Sequence, residues 1–123
     1  MSLSALAAVA IAIQALSPQF DLACTNTATG EAYRLRIDLE SSRWCEGDCA
    51  QGRPIASVDA DRYTLFDYDN RGPALRTTGL SFINRQTGEH YESMISIGRL
   101  SQVQRRSGQC VRAPFSGMPE PLL

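Results

Sequence analysis

The sequence predicts an all-β domain: a small antiparallel meander of about six to eight short strands, closed as a barrel or folded as a sandwich. Disulfides stabilise it, and a signal-like helix precedes it. Three observations carry this prediction. Tyr33, Leu35, Ile37 and Leu39 alternate with Arg34, Arg36, Asp38 and Glu40, the period of a strand with one buried face. Turn-forming clusters recur at short intervals, among them Thr29-Gly30, Glu40-Ser41-Ser42, Asp69-Asn70-Arg71-Gly72-Pro73, Gln86-Thr87-Gly88 and Ser107-Gly108. No segment after residue 17 sustains a helical repeat.

The first element is the leader. Leu3 to Leu16 is apolar and alanine-rich, broken by Ser4 and Gln14. It falls short of the ~20 residues that cross a bilayer and has the length of a signal-peptide core. Ala10-Ile11-Ala12 is a cleavage pattern and Ala15 a second exit, so residues 1–15 are expected to be a signal peptide. The start carries only the α-amino charge, and the alternative is a buried or amphipathic N-terminal helix. A lipid anchor at Cys24 would need an apolar residue where Asp21 stands.

A single β domain is expected over residues 18–113. Its strands are expected at 19–25, 33–40, 54–58, 62–68, 78–84, 90–97, 100–106 and 109–112. Residues 114–123 hold three of the six prolines and are expected to be extended, ordered only by docking. The form T-G-E-x-Y occurs twice, at Thr29–Tyr33 and Thr87–Tyr91, each time opening a strand. Hairpin chemistry explains this echo better than duplication, because glycine takes the positive φ of the turn and tyrosine enters the core edge.

A chain of 123 residues with net charge −1 holds one domain. It has no basic excess for nucleic acid and no polybasic run for anionic lipid. No stable membrane span is expected in the mature form. Every basic side chain is arginine.

Four cysteines in an exported chain read as disulfides. Cys45-Glu46-Gly47-Asp48-Cys49 can close a local clip, and Cys24–Cys110 would tie the domain end to end, contributing roughly 4–5 kcal/mol. This connectivity is favoured, though spacing alone leaves all three pairings open. Trp44 is expected to pack over the clip. A redox pair would want C-x-x-C at a helix N-terminus; here the context is a loop, and Glu46 and Asp48 would raise the thiol pKa. A zinc site on Cys45, Cys49, His90 and a third cysteine would compete with the disulfides.

Asp67-Tyr68-Asp69-Asn70-Arg71-Gly72 begins like a calcium loop, but Arg71 stands where a ligand belongs and Thr78 where the bidentate Glu belongs. It reads as a polar hairpin turn, and no cofactor or metal is expected. His90 is the only histidine and is placed on an exposed strand position. No Gly-x-Ser-x-Gly elbow supports a hydrolase. Arg99, Arg105, Arg106 and Arg112 cluster toward the C-terminus, with Arg99 and Arg105 on one face; cross-strand ion pairs explain them better than a patch for an acidic partner or polysaccharide.

The runs Phe20-Asp21-Leu22-Ala23-Cys24-Thr25, Trp44-Cys45-Glu46-Gly47-Asp48-Cys49 and Gly108-Gln109-Cys110-Val111-Arg112-Ala113-Pro114-Phe115 resemble small uncharacterised exported proteins of alphaproteobacteria. Thr87-Gly88-Glu89-His90-Tyr91 is similar, more loosely, to the S-G-x-x-Y motif of periplasmic inhibitors of C-type lysozyme, with Thr for Ser. That likeness implies a small disulfide-bonded β-barrel whose hairpin blocks the enzyme.

The expectation is therefore a periplasmic or secreted, non-catalytic binding protein, with lysozyme or an envelope component as partner. Thr87, Gly88, Glu89, His90, Tyr91 and Arg99 would form the binding surface. The alternative is a small envelope enzyme using His90 beside a carboxylate.

Overall fold

The computed structural model describes residues 17–119. These are 61% strand with no helix, so none of the described residues forms a helix able to cross a membrane. The expected leader lies outside the described residues. Among the described residues nine strands form: β1 (Gln19–Asn26), β2 (Ala32–Asp38), β3 (Arg43–Glu46), β4 (Arg53–Pro54), β5 (Ser57–Val58), β6 (Arg62–Arg71), β7 (Arg76–Asn84), β8 (Glu89–Ile97) and β9 (Gln102–Ala113).

All belong to one antiparallel sheet in the order β4-β3-β2-β1-β9-β8-β7-β6-β5. Two meanders, β1–β4 and β5–β9, meet at the β1–β9 seam. The sheet's edge strands, β4 and β5, are separated in the chain only by Ile55-Ala56. That short link draws both edges together and curls the sheet into a half-barrel. Ile55 N–H donates to Ser42 O and Ala56 N–H to Thr64 O, each at 2.9 Å, so the link is tied to both meanders.

The core lies where the meanders face each other. Phe20, Leu22, Cys24, Leu35, Ile37 and Trp44 come from the first; Tyr63, Leu65, Ile83 and Cys110 come from the second. Phe20–Tyr63 and Trp44–Phe66, with ring centroids 5.7 and 6.1 Å apart, pack across the two. The favoured disulfides are both formed. Cys24 and Cys110 are directly paired across the β1–β9 seam.

Several expectations need correction. There is one sheet, so the sandwich is excluded, and there are nine strands, above the six to eight expected. Residues 100–106 and 109–112 are parts of one strand, because Ser107-Gly108 is not a turn. A Cβ at Gly108 would lie 1.9 Å from the Tyr33 hydroxyl, so this glycine makes room for a ring. Residues 54–58 divide into two short strands because they join opposite edges. Asp69-Asn70-Arg71 continues β6, and the turn begins at Gly72. Cys45 sits on strand β3, where a loop was expected. Successive strand residues face opposite ways, so Trp44 enters the core while Cys45, also buried, lies on the opposite face of β3.

Residues 114–119, the described part of the tail, lie against the first meander. Arg34, Arg36 and Arg43 donate to the carbonyls of Pro114, Gly117 and Pro119 at 3.2, 3.3 and 3.0 Å. Asp21, fully buried, accepts from Arg34 and from the Ser116 hydroxyl and N–H. Burial alone would raise the Asp21 pKa; the Ser116 and Arg34 hydrogen bonds outweigh it and hold the carboxyl below its ordinary value.

Candidate functional site

The Thr87–Tyr91 segment is the β7–β8 hairpin and the start of β8. Asn84 Oδ1 accepts the N–H groups of Gln86 and Thr87 at 2.9 and 3.0 Å. Gly88 N–H donates to Asn84 O at 2.9 Å, and Gly88 has φ 77°. The β1–β2 hairpin repeats this arrangement: Asn26 Oδ1 accepts from Ala28 and Thr29 at 2.9 and 3.2 Å, and Gly30 also has φ 77°. The echo therefore reaches back to an asparagine, as N-x-x-T-G-E-x-Y. An asparagine that caps the turn and a glycine that supplies positive φ explain it as turn chemistry.

Arg85, Gln86, Thr87 and Glu89 are exposed at the β7–β8 tip. The tip is pinned on both flanks. Cys110 N–H donates to Gly88 O at 2.9 Å, Gln109 Nε2 to Thr87 O at 2.5 Å, and Arg85 N–H to Asp61 O at 2.8 Å. Tyr91 lies on the outer face beside Phe82, with centroids 5.6 Å apart. Arg99 is not part of this surface. It stands in the turn after β8, eight residues beyond Tyr91, roughly 26 Å along a strand. Nor does it share a strand face with Arg105. Among the described residues neither makes an ion pair, so cross-strand pairing holds for Arg106 and not for these two.

His90 is the largest departure from expectation. Only 1% of it is exposed. It points into the half-barrel, where Tyr33 Oη is 2.7 Å from Nδ1 and Ser81 Oγ is 3.1 Å from Nε2. Gly108, its neighbour on β9, provides the space for Tyr33. Arg106 grips Glu46 with two hydrogen bonds of 3.0 and 2.7 Å and Glu92 with one of 3.1 Å. Its guanidinium also covers the Tyr33 ring at 4.3 Å. The resulting cluster joins β2, β3, β7, β8 and β9 across the interior.

Burial of the ring, aided by the Arg106 charge and opposed by Glu46, pushes the His90 pKa down to about 4. At neutral pH the imidazole is therefore uncharged, with one nitrogen donating and the other accepting. Hydrogen bonds from Arg106 hold Glu46 below the ordinary carboxylate value, and burial raises Tyr33.

A serine beside an imidazole resembles a nucleophile–base pair. Here the group on the second nitrogen is a phenol, and Ser81 is 0% exposed. The Glu92 carboxylate lies 4.0 Å from Nε2, on the serine side, and is already bound by Arg106. Asp69 of the calcium-like run spends its carboxylate on Arg71 and Arg76. Among the described residues no group of three acidic, histidine or cysteine side chains could hold a metal.

Sequence reasoning missed Tyr33, Ser81 and Glu92 as partners of His90. It also read Arg106 only as one of a basic cluster. Gly108→Ala tests the packing of this cluster. The added methyl is expected to cost roughly 1–3 kcal/mol in urea unfolding. Because Gly108 and Tyr33 compete for one space, combining it with Tyr33→Phe should cost less than the two single changes together. Strictly additive costs would show that they do not share that space.

No protein family, curated protein or solved structure matches this chain.

Proposed function

We propose that this chain is an exported, non-catalytic binding protein. The observation carrying this reading is the state of its only histidine. The Ser81–His90 pair is the arrangement closest to catalytic geometry, yet it is sealed, uncharged at neutral pH and bonded to structural partners. Substrate cannot reach either group without opening the half-barrel. Two disulfides with no free cysteine among the described residues suit an oxidising compartment and support export.

The partner surface proposed for a protein ligand is the β7–β8 tip, at Thr87, Gly88 and Glu89, with Arg85 in place of Arg99. His90 and Tyr91 support this tip from β8. A tip pinned on both flanks loses little conformational entropy on binding, as an inhibitory loop requires. Purified, oxidised protein is expected to slow C-type lysozyme, and Thr87→Arg with Glu89→Arg should abolish the effect while leaving the fold intact. Lysozyme proceeding at its full rate with the protein in micromolar excess would remove the lysozyme reading.

A further inference from the structure

The inner face of the second meander is sorted by charge in successive rows. Strand register places Tyr63, Ile83, His90 and Gly108 in one row, and Phe66, Ser81, Glu92 and Arg106 in the next. Their polar groups bond to one another and to Tyr33 and Glu46. Two rows follow: Tyr68, Gly79, Met94 and Gln104, then Asn70, Thr77, Ser96 and Gln102. Neither contains a charge. The charged residues of these same strand segments, Asp67, Asp69, Arg71, Arg76 and Arg105, all fall on the opposite face by the alternation of the pleat.

These outer rows lie beyond the closed part of the sheet. β1 leaves β9 at the Asn26–Gly108 pair, and β5 reaches only Tyr63 and Thr64 of β6. The four longer strands run on together and frame a groove of about 310 Å³, open along both edges. Its size is at the lower end for small-molecule sites. Tyr68, Asn70, Thr77, Ser96, Gln102 and Gln104 line it. None of these side chains makes a hydrogen bond to another described residue. In the rows beneath, by contrast, Ser81, His90, Glu92 and Arg106 all make side-chain hydrogen bonds. The Tyr68 ring lies against Gly79, where a Cβ would come within 2.4 Å of it. Glycine thus lets the ring lie down on β7 and form part of the groove floor.

We propose that this groove binds a neutral oligosaccharide. A sugar presents hydroxyls that both donate and accept, and the amides of Asn70, Gln102 and Gln104 offer both functions. The Tyr68 ring supplies an apolar surface for the C–H face of a pyranose. An acidic glycan would bring carboxylates to a site with no cation, leaving them unpaired. The open edges allow a chain to run through. This inference rests on the binding-protein reading and gives it a ligand class.

The test is an amide NMR titration of the oxidised full chain with chitotetraose, maltotetraose and tetragalacturonate. At least one neutral sugar is expected to shift amides near Tyr68, Thr77, Met94 and Gln104, with Kd of about 1 mM or tighter. Tetragalacturonate should bind about tenfold more weakly. Gln104→Ala, at an exposed position, should weaken neutral-sugar binding about tenfold without unfolding the protein, and Tyr68→Phe should largely retain it. The inference is overturned by absence of shifts with both neutral sugars, by shifts confined to the β7–β8 hairpin, or by equal binding of tetragalacturonate or a capped Gly-Ser tetrapeptide. Groove shifts accompanied by cleavage of the sugar would uphold the groove and overturn the non-catalytic reading alone.

Discussion

Removing the Cys24–Cys110 bond is expected to lower stability by roughly 4–5 kcal/mol. The bond spans a sequence separation of 86 residues and crosses the β1–β9 seam, the only backbone ladder joining the two meanders apart from the short link at 55–56. Its loss frees the unfolded chain over nearly the whole domain. Small domains have only about 5–15 kcal/mol in total, so much of the fold's margin goes with it. Both sulfurs lie in the core, which makes Cys24→Ala with Cys110→Ala the appropriate pair. Cys45→Ala with Cys49→Ala opens a loop of sequence separation 4, and the same chain-entropy relation gives roughly 2 kcal/mol. Guanidinium unfolding of both double variants checks the order. A larger loss at the local clip would mean that the seam is held mainly by packing.

Where residue pattern and burial agree, the fold was legible in the sequence. Tyr33 to Leu39 alternates cleanly because β2 turns one face to the apolar core, and the structure places a strand over Ala32–Asp38 with Leu35 and Ile37 fully buried; that Asp38 is buried on the other face was not legible. The twin turns were legible because their chemistry is local. Ser107-Gly108 misled because glycine marks both a turn and a close approach, and the approaching group, Tyr33, is distant in sequence. β8 misled for another reason. Its apolar residues divide between faces, with Met94 inward and Tyr91 and Ile95 outward, so alternation does not reveal which side is buried. His90 could be placed only after β8 was registered against β7 and β9. Its hydrogen-bond partners Ser81 and Tyr33 come from two other strands, and no local spacing connects them. The groove was hidden similarly: Asp67 to Arg71 reads as a charged turn until its odd and even residues are assigned to opposite faces.

The buried histidine also predicts how the protein responds to acid. In the unfolded chain His90 takes up its proton near pH 6.5, whereas in the folded protein it does so only near pH 4. Between these values the unfolded state binds more protons, so stability falls as pH falls from 6.5 toward 4. At about 1.4 kcal/mol per pH unit, the full window is worth roughly 3 kcal/mol. Below pH 4 both states carry the proton and this contribution stops changing. The carboxylates of Asp21, Asp38 and Glu46, held below their ordinary values of 3.8, 3.8 and 4.5, act at lower pH. Their stabilisation is present above those values and is lost on further acidification. Urea unfolding at intervals between pH 8 and pH 4 should therefore show a decline that begins near 6.5, well above the range in which Asp21, Asp38 and Glu46 act. His90→Gln can retain one donor and one acceptor toward Tyr33 and Ser81 without titrating. That variant should be less stable at pH 7 but nearly flat across the same window. A wild-type protein flat from pH 6.5 to 5 would mean that the folded state accommodates the imidazolium, with the Ser81–Tyr33 enclosure more open to water than its geometry indicates.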